Sequence, residues 1–327
     1  MTPFTIVMEM ENATLITGEE VREVIDGLAR QIAGYVTAHP GARPQIVFVQ
    51  AGEHEETVIL ADLVTSNAGA LMELADFEFV SVPDGRYYQL KNTGIDRARG
   101  EIIILLDSDA LAEPGWLDAM LAPFADPKTV VVNGHTFLHC DDFASRAFAL
   151  IWFFPLRNND ERQARKRSLN ANNCAFRGDW IRKNRFPDNN GFKVSCTLLV
   201  DEMRRQGIEM RRVPAYTKHA APRGAQFYFW RALVTGRDAD RKFALRRSPS
   251  RLRRIRHSLG HWFTLNWRAI RRIVNKGRDT GMPAWQIPGA IAVSLAFYSL
   301  AFVGQLGLAS GLVSDTVERI PEGVEHS

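Results

Sequence analysis

The stretch that decides the fold is Gly100-Glu101-Ile102-Ile103-Ile104-Leu105-Leu106-Asp107-Ser108-Asp109-Ala110. Its five consecutive large apolar residues predict a strand buried on both faces, like a central parallel strand of an α/β sheet. The strand stops at two carboxylates, and the two-residue period of a strand places Asp107 and Asp109 on the same side. Ligands of open α/β sheets bind at the carboxyl ends of strands, which is where this pair lies.

Two carboxylates on one side of a strand end are hard oxygen ligands. They suit Mg²⁺ or Mn²⁺ shared with the phosphates of a substrate. The alternative is a solvated strand end that turns into a helix at Pro114-Gly115-Trp116-Leu117. An Asp-x-Asp sequence alone does not separate these two interpretations, so the neighbouring motifs have to decide between them.

Short apolar runs and amphipathic segments alternate along the first part of the chain. Further strands are predicted at residues 4–8, 45–49, 77–82 and 130–133, and helices at 18–38, 89–97 and 116–124. Strands that alternate with helices indicate an α/β protein with a doubly wound, mostly parallel sheet that is covered on both faces.

The distribution of charge and the cysteines of the chain indicate which partner surface and which cellular environment to expect. The formal net charge is only +4, but Arg and Lys crowd residues 237–278, which points to an anionic surface as partner. Cys140, Cys174 and Cys196 have no metal-ligand spacing and cannot all pair, which favours a reduced, cytosolic setting. The N-terminal residues have no basic region before Glu9, so no signal peptide is expected.

The last part of the chain has the composition of a membrane-attached segment. Residues 287–313 carry no formal charge, and a helix of that length spans roughly 40 Å against about 30 Å of bilayer hydrocarbon. Trp262, Phe263 and Trp267 interleave with arginines just before it, as in an amphipathic interfacial helix. By the positive-inside rule everything before Ile287 is expected to be cytoplasmic.

Two other interpretations of this region are a nucleic-acid patch for the arginines and a buried core helix for residues 287–313. Neither explains why the two features are adjacent, so we prefer membrane attachment and expect no nucleic-acid partner. The predicted domains are therefore a catalytic domain at 1–236, a basic amphipathic interface region at 237–284, and a transmembrane helix with a short tail at 285–327.

The block Lys91-Asn92-Thr93-Gly94-Ile95-Asp96-Arg97-Ala98-Arg99-Gly100, continued through the Asp pair to Pro114-Gly115-Trp116-Leu117, resembles family 2 glycosyltransferases of the GT-A fold. Weaker likeness runs from Phe4 to about Arg237. Asn172-Asn173-Cys174-Ala175-Phe176-Arg177 is similar to a stretch that borders the donor and acceptor sites of the family, and residues 207–219 to the end of its catalytic domain.

The resemblance implies inverting transfer from a nucleotide-diphosphate sugar, with a UDP-sugar as the expected donor and Mn²⁺ or Mg²⁺ as cofactor. It implies a metal held by Asp107, Asp109 and His219, with Asp109 the most direct ligand. A metal there would act as a Lewis acid on the leaving diphosphate. Donor contacts are implied for the residues that follow the first two strands and for two asparagines of the matched motifs: Glu9, Glu11, Gln50, Gly52, Asn92 and Asn173.

The chain departs from the family pattern at two places. Gln50-Ala51-Gly52-Glu53 replaces the paired acids after the second strand, so base recognition is expected to differ. The acidic pair that supplies the general base is replaced by Ser195-Cys196, and neither is an ordinary base for a sugar hydroxyl. The substitutes left open are Asp188, Asp201 and Glu202, an acidic acceptor that needs no base, or a catalytically weak protein.

We therefore expect a non-processive transferase, because the Gln-x-x-Arg-Trp motif of processive synthases is broken at residues 226–230 and only one spanning segment follows. It would add one sugar to a lipid-linked or cell-surface glycan acceptor at the cytoplasmic face of the inner membrane, bound to anionic lipids. The alternative is a catalytically degenerate GT-A domain that serves as a membrane-bound assembly subunit. A phosphohydrolase that uses Asp107 as nucleophile is disfavoured because Leu111 stands where a Thr or Val is expected.

Overall fold

The computed structural model describes residues 3–10, 18–151, 154–157, 168–221 and 224–318. Within them the strands are β1 (Phe4–Glu9), β2 (Gln45–Ala51), β3 (Asp76–Val82), β4 (Ile102–Asp107), β5 (Ala110–Ala112), β6 (Val131–Leu138), β7 (Asn173–Arg177) and β8 (Met210–His219). The helices are α1 (Gly18–Ala38), α2 (His54–Ala68), α3 (Leu71–Leu74), α4 (Tyr87–Arg97), α5 (Trp116–Leu121), α6 (Phe143–Ile151), α7 (Gly178–Lys183), α8 (Val194–Arg205), α9 (Ala225–Arg247), α10 (Arg251–Lys276) and α11 (Ile287–Ser310).

One eight-stranded sheet has the order β3-β2-β1-β4-β7-β6-β8-β5. The strands β3, β2, β1 and β4 pair in parallel, as the alternation of strands and helices predicts. From β4 onward the pairings β4–β7, β6–β7 and β5–β8 are antiparallel, which makes the sheet mixed. The carboxyl ends of the four parallel strands therefore share one edge of the sheet.

The core of the sheet follows from its apolar strands. Residues 103–106 of β4 are all fully buried, as their unbroken apolar run predicts. A Cβ added at Gly94 of α4 would lie 2.2 Å from Val7 Cγ1 of β1, so only glycine allows the helix to approach the sheet this closely. This contact is the physical reason for the glycine of the Asn-x-Gly motif.

The predicted elements are confirmed, with shifts at their boundaries. The helix expected at 89–97 begins earlier, at Tyr87, and the strand expected at 130–133 extends to Leu138. The expected helix at 116–124 ends at Leu121 and continues as a 3₁₀ turn over Ala122–Ala125. The apolar segment predicted at 287–313 is helical from Ile287 to Ser310.

The chain forms two compact units. The first consists of Met1–Phe137, Asp160–Asp188 and Leu198–Ala220 and contains the sheet. The second consists of Leu138–Asn159, Asn189–Thr197 and Ala221–Ser327 and contains α6 and α9–α11. The domain boundaries predicted at 236/237 and 284/285 remain predictions.

In the second unit α11 packs against both α9 and α10. A Cβ added at Gly236 of α9 would lie 1.7 Å from the Ala301 carbonyl oxygen of α11, so the two backbones are in direct contact. Arg254 Nη2 of α10 donates to the Leu308 carbonyl oxygen (3.3 Å), and Trp262 Nε1 donates to Ser299 Oγ (3.3 Å). The helices α10 and α11 therefore run antiparallel.

Candidate active site

The Asp-x-Asp pair lies where β4 ends and a tight turn leads into β5. The strand itself stops at Asp107, so Asp109 belongs to the turn and not to the strand period that the sequence suggests. Two hydrogen bonds hold the turn: Ser108 N donates to the Glu9 carbonyl oxygen (3.1 Å) and Ala220 N to the Asp109 carbonyl oxygen (3.0 Å). Both carboxylates still reach the same site.

His219 joins this site because β8 pairs with β5. Ala110 is the antiparallel partner of His219, which places the imidazole next to the turn. One ligand atom each from Asp107, Asp109 and His219 lie within 4.8 Å of one another, and all three residues are buried. The sequence motifs that predicted these three residues lie far apart in the chain, and the sheet brings them together.

The tautomer of His219 is fixed by its backbone contact. Its Nδ1 lies 2.7 Å from the Ala220 carbonyl oxygen, which only accepts, so Nδ1 carries the proton. Its Nε2 lies 3.2 Å from Asp109 Oδ2. An imidazole nitrogen oriented through its other nitrogen, beside two carboxylates, is a donor set that fits Mn²⁺ and accepts Mg²⁺.

Asp107 is held by two side chains of α4. Lys91 Nζ lies 2.5 Å from Asp107 Oδ1, and the Tyr87 hydroxyl donates to Oδ2 at 2.9 Å. Both Lys91 and the Asp107 carboxylate are almost fully withdrawn from solvent. Each side chain that holds the carboxylate is a donor, so its orientation is fixed within the protein.

The ionisation of these groups follows from their burial and neighbours. Burial alone would lower the pKa of Lys91, but the charges of Asp107 and then Glu9 outweigh it, so the pKa of Lys91 lies above its ordinary value. Burial, and next the charge of Asp107, raise the pKa of Tyr87 well above its ordinary value. Lys91 is therefore a cation and Tyr87 a neutral donor near neutral pH.

Sequence reasoning assigned no role to Lys91 or Tyr87. Their spacing of four residues, which places both on one face of α4, was an available signal. It points to Asp107 only once the structure shows that this face of α4 lies over the end of β4.

The residues predicted to contact the nucleotide-sugar donor lie on different elements. Glu9 is fully buried and is the register partner of Asp107, so it belongs to the same strand edge. Gln50 lies at the end of β2 opposite Ser81, and Gly52 N donates to the Val82 carbonyl oxygen (3.2 Å). These three residues border the edge that carries the Asp pair. Glu11 lies outside the described residues.

The side-chain amides of Asn92 and Asn173 form hydrogen bonds with other groups of the protein. Asn92 exchanges two hydrogen bonds with the Phe186 backbone, at 2.9 and 3.1 Å. Asn173 is fully buried; it donates to the Ala215 carbonyl oxygen (3.0 Å) and accepts from Trp116 Nε1 (2.9 Å). These contacts give both side chains a structural role, and their predicted contacts with the sugar donor stay predictions.

Of the three candidate bases, Asp188 lies at the same edge of the sheet as Asp107. It accepts from Arg86 Nη2 (2.5 Å) and Gln89 Nε2 (3.1 Å), at the end of α4 that also carries Tyr87. More than half of the Asp188 side chain is exposed, so it is accessible to an acceptor.

Asp201 and Glu202 have their partners elsewhere. Asp201 pairs with Arg204 on its own helix, and Glu202 accepts from Gln206, which in turn accepts from Trp180 of α7. The helix α7 begins beside the start of β4, since Gly178 N donates to the Glu101 carbonyl oxygen. The start of β4 is about 17 Å from Asp107 at 3.3 Å per residue.

Comparison with known proteins agrees with this geometry. The model of glycosyl transferase family 2 matches residues 6–186, which is more than half of the chain and includes β1–β4, the Asp pair and β7. The protein belongs to glycosyl transferase family 2 and is a glycosyltransferase that uses a nucleotide-sugar donor. No curated protein sequence matches the chain.

Several solved structures are similar to the chain. The mannosyltransferase PcManGT from Pyrobaculum calidifontis, solved with GDP-Man and Mn²⁺, is 16% identical, with 95% of this chain and 87% of that chain covered and a TM-score of 0.54. TarS (1–349) from S. aureus is 11% identical over 95% and 92% of the two chains, with a TM-score of 0.48. Glucosyl-3-phosphoglycerate synthase from Mycobacterium tuberculosis is 17% identical over 67% and 71%, with a TM-score of 0.44. The first similarity confirms the GT-A fold.

Proposed function

We propose that this protein transfers one sugar from a nucleotide-diphosphate sugar and binds the diphosphate through a divalent cation held by Asp109, His219 and Asp107. The observation that supports it is the convergence of three ligand atoms within 4.8 Å at the carboxyl edge of a family 2 sheet. A bound Mn²⁺ or Mg²⁺ would neutralise charge on the departing diphosphate. Glu9, Gln50 and Gly52 border this edge and are the candidates for nucleotide contacts, with a UDP-sugar as the expected donor.

Lys91 and Tyr87 would fix the orientation of the Asp107 carboxylate before the donor arrives. A ligand that is already oriented loses little conformational freedom on binding, which favours tight and specific positioning of the diphosphate.

Asp188 is the residue we propose as general base. A base must reach the acceptor hydroxyl, and Asp188 combines exposure with a position beside the amino end of α4. When an acceptor binds, the salt bridge between Asp188 and Arg86 would have to loosen, or the Asp188 carboxylate would have to share its oxygens between Arg86 and the acceptor. The carboxylate Oδ2, which accepts from the neutral amide of Gln89, is the oxygen less committed to a charged partner.

The acceptor we propose is lipid-linked or part of a cell-surface glycan, reached at the cytoplasmic face of the inner membrane. The support for this assignment is the second unit, where the basic helix α10 is adjacent in sequence to a helix with the length and apolarity of a membrane span. Anionic lipids would be the partners of α10. The broken processivity motif supports transfer of a single sugar.

A second candidate function is a catalytically degenerate, membrane-bound assembly subunit. The observation that favours it is Ser195, which stands at the position of the family's acidic pair. Ser195 is buried, and its hydroxyl accepts from Asn189 Nδ2 at 2.6 Å, so this position supplies no base.

A donor screen separates the two candidates. We expect nucleotide release from one of a set of nucleotide-diphosphate sugars with Mn²⁺ and membrane lipid extract. Asp109→Asn should lower Mn²⁺ affinity more than about 100-fold, beyond the usual cost of losing an outer-shell partner. Asp188→Asn should leave donor binding unchanged and slow transfer by about 10²–10⁴-fold. Glu202→Gln is the matched control for Asp188→Asn.

The outcomes are distinct. Donor binding without transfer to any lipid or glycan acceptor, in a folded protein, would favour the assembly subunit. Unchanged Mn²⁺ binding by Asp109→Asn in calorimetry would refute the metal assignment. Equal slowing by Asp188→Asn and Glu202→Gln would refute Asp188 as the base.

A further inference from the structure

The charged side chains of helix α10 are all basic. Its 26 residues include Arg253, Arg256, Arg268 and Arg271, all exposed, and no aspartate or glutamate. On the surface helix of a soluble protein, acidic residues alternate with basic ones and form side-chain salt bridges at i,i+4 spacing. The surface of α10 is therefore built to face negative charge.

The same helix exposes large apolar side chains in a stripe. The exposed residues are Leu252 (66%), Leu259 (48%), Phe263 (65%), Trp267 (62%) and Val274 (55%). Their spacings of seven, four, four and seven residues place them on one face of the helix, within less than a quarter turn. We call these five residues the α10 stripe.

The α10 stripe is not the packing face of α10. The residues that α10 buries are Ser258, Asn266, Ala269 and Ile273, which are small or polar except for Ile273. An ordinary amphipathic helix in a globular protein buries its largest apolar residues and exposes its small ones. In α10 two of the three largest, Phe263 and Trp267, face outward, and Arg256 lies within the arc of the stripe.

One face of the neighbouring helix α11 packs in the second unit, and 28% of its apolar window is buried. Gln305 is buried, and its Oε1 accepts from His261 Nδ1 at 3.0 Å. Ser299 accepts from Trp262 of α10, and the backbone contact between Gly236 and Ala301 joins α11 to α9. Two polar side chains of α11, Gln305 and Ser299, thus find partners on the charge-bearing helix α10, and the Tyr298 hydroxyl donates to the Ile151 carbonyl oxygen of α6 (2.9 Å).

A lone span is hard to reconcile with this packing. To cross a bilayer, α11 would have to separate from α9 and α10, or all three helices would have to enter the membrane. The buried face of α9 contains Asp238, Asp240 and Arg241, and charged groups are expensive at the bilayer centre. The length and apolarity of α11 meet the requirement for a span, whereas its contacts with α9 and α10 favour a helix that stays in the folded second unit.

We propose that the protein docks on an anionic lipid leaflet through the α10 stripe, with α10 lying flat in the interface and α11 kept in the folded second unit. Phe263 and Trp267 would enter the headgroup and acyl boundary, and the flanking arginines would contact the lipid phosphates. This inference rests on the proposed membrane-associated function and specifies its mode. It places both ends of α11 on the same side of the membrane.

Vesicle flotation with the full chain tests the stripe. The probes are sealed vesicles of phosphatidylcholine alone and of phosphatidylcholine with 30% phosphatidylglycerol. We expect binding to the anionic vesicles only. Trp267→Ser should weaken it about tenfold, and Arg256→Gln about fivefold, the ratios that correspond to losing one interfacial aromatic or one basic contact. Ile59→Ser and Arg30→Gln, exposed positions of the first unit, are the matched controls.

Loss of binding by the control variants as much as by the stripe variants would overturn the docking surface. Equal binding to neutral and anionic vesicles would overturn the charge argument, and binding to RNA but not to vesicles would assign the arginines to nucleic acid. The flat orientation is tested by alkaline carbonate. Release from native membranes is expected, and retention in the pellet would show that α11 spans.

The result is separable from the proposed transferase activity. Mn²⁺-dependent nucleotide binding, measured by calorimetry without vesicles, should be the same in Trp267→Ser and in the unaltered protein. If nucleotide binding is absent while flotation follows the stripe, the proposed function fails and the docking surface stands. If nucleotide binding is present while flotation ignores the stripe, only the docking surface fails.

Discussion

Each of the two units buries a cluster of charges, and the two clusters are built differently. In the first, Lys91 contacts Asp107, and Asp109 and His219 converge on the same site from a turn and a neighbouring strand. In the second, Arg241 contacts Asp238, Asp315 and Glu318, while Arg237 also contacts Glu318.

The difference is in what the carboxylates face. In the second cluster they face guanidinium groups, whose planar forks match carboxylates in size and geometry. In the first cluster Lys91 pairs with Asp107, but ligand atoms of both carboxylates also lie close to one another and to an imidazole nitrogen, an arrangement that a divalent cation would stabilise. Burial of charge is common to both, so convergence of acceptor atoms, rather than burial, distinguishes the candidate site from a structural network.

The largest expected effect comes from removing the buried cation of each cluster. Lys91→Met and Arg241→Met should each destabilise the protein by about 3–5 kcal/mol, because a buried carboxylate is left without its counter-charge. Urea unfolding measures the loss. Only Lys91→Met should also change Mn²⁺ affinity, since it alone alters the orientation of a proposed metal ligand.

The matched control for both variants is Lys276→Met, whose partner Asp279 is partly exposed and whose loss should cost less than about 1 kcal/mol. A change in Mn²⁺ affinity of the same size in Arg241→Met would break the distinction between the two clusters.

A smaller effect is expected from Glu318→Gln in the second cluster. Glu318 accepts from Arg237 and Arg241 at 3.0 Å, and its backbone N donates to the Asn190 carbonyl oxygen. The amide keeps the shape but loses the charge, which should cost about 1–3 kcal/mol of unfolding free energy. Asp315→Asn, at an exposed carboxylate, should cost less. If Glu318→Gln abolished Mn²⁺ binding, the second cluster would not be purely structural.

The smallest effect is a pH dependence of the second unit. Burial, and next the neighbouring His261, lower the pKa of His257, whereas Asp240 opposes the shift. The unfolded chain then binds a proton at higher pH than the folded one. The contribution of His257 to stability is therefore full above its ordinary pKa, falls as the pH decreases toward the lowered folded pKa, and is constant below it.

This contribution should be less than about 1 kcal/mol, because the ring is only partly buried. The measurement is the melting temperature at pH 7.5 and 5.5 in the unaltered protein and in His257→Phe, which retains the stacking on Phe243. An equal drop in both proteins would exclude His257 as the cause.

The sequence was sufficient for the parallel half of the fold. The apolar run of β4 and the periodicity of α1 predict their structures directly, because burial on both faces or on one helix face leaves a pattern in the chain. The antiparallel pairings of the other half were not predicted. The strands β5–β8 are joined by long connections, and their order depends on pairings between distant residues that no local pattern encodes.

The site was predictable where a motif carries it. Asp107 and Asp109 follow from the strand end, and His219 from the family resemblance. The role of Lys91 was not predicted because a lysine in an amphipathic helix is ordinarily solvated. Its burial is visible only when α4 lies on the sheet. The protein contacts of Asn92 and Asn173 were not predicted for the complementary reason: an asparagine in a motif fits a ligand contact and a backbone contact equally well.

The contact between Gly236 and Ala301 bears on how this chain can be shortened. Cutting before residue 285 is the obvious route to a protein that needs no detergent. Such a cut would uncover the surface around Gly236, against which the α11 backbone packs directly, and it would leave Trp262 without the hydroxyl to which it donates. A truncated protein that aggregates would therefore say little about membranes. Polar substitutions in the α10 stripe of the uncut chain are the better route to solubility.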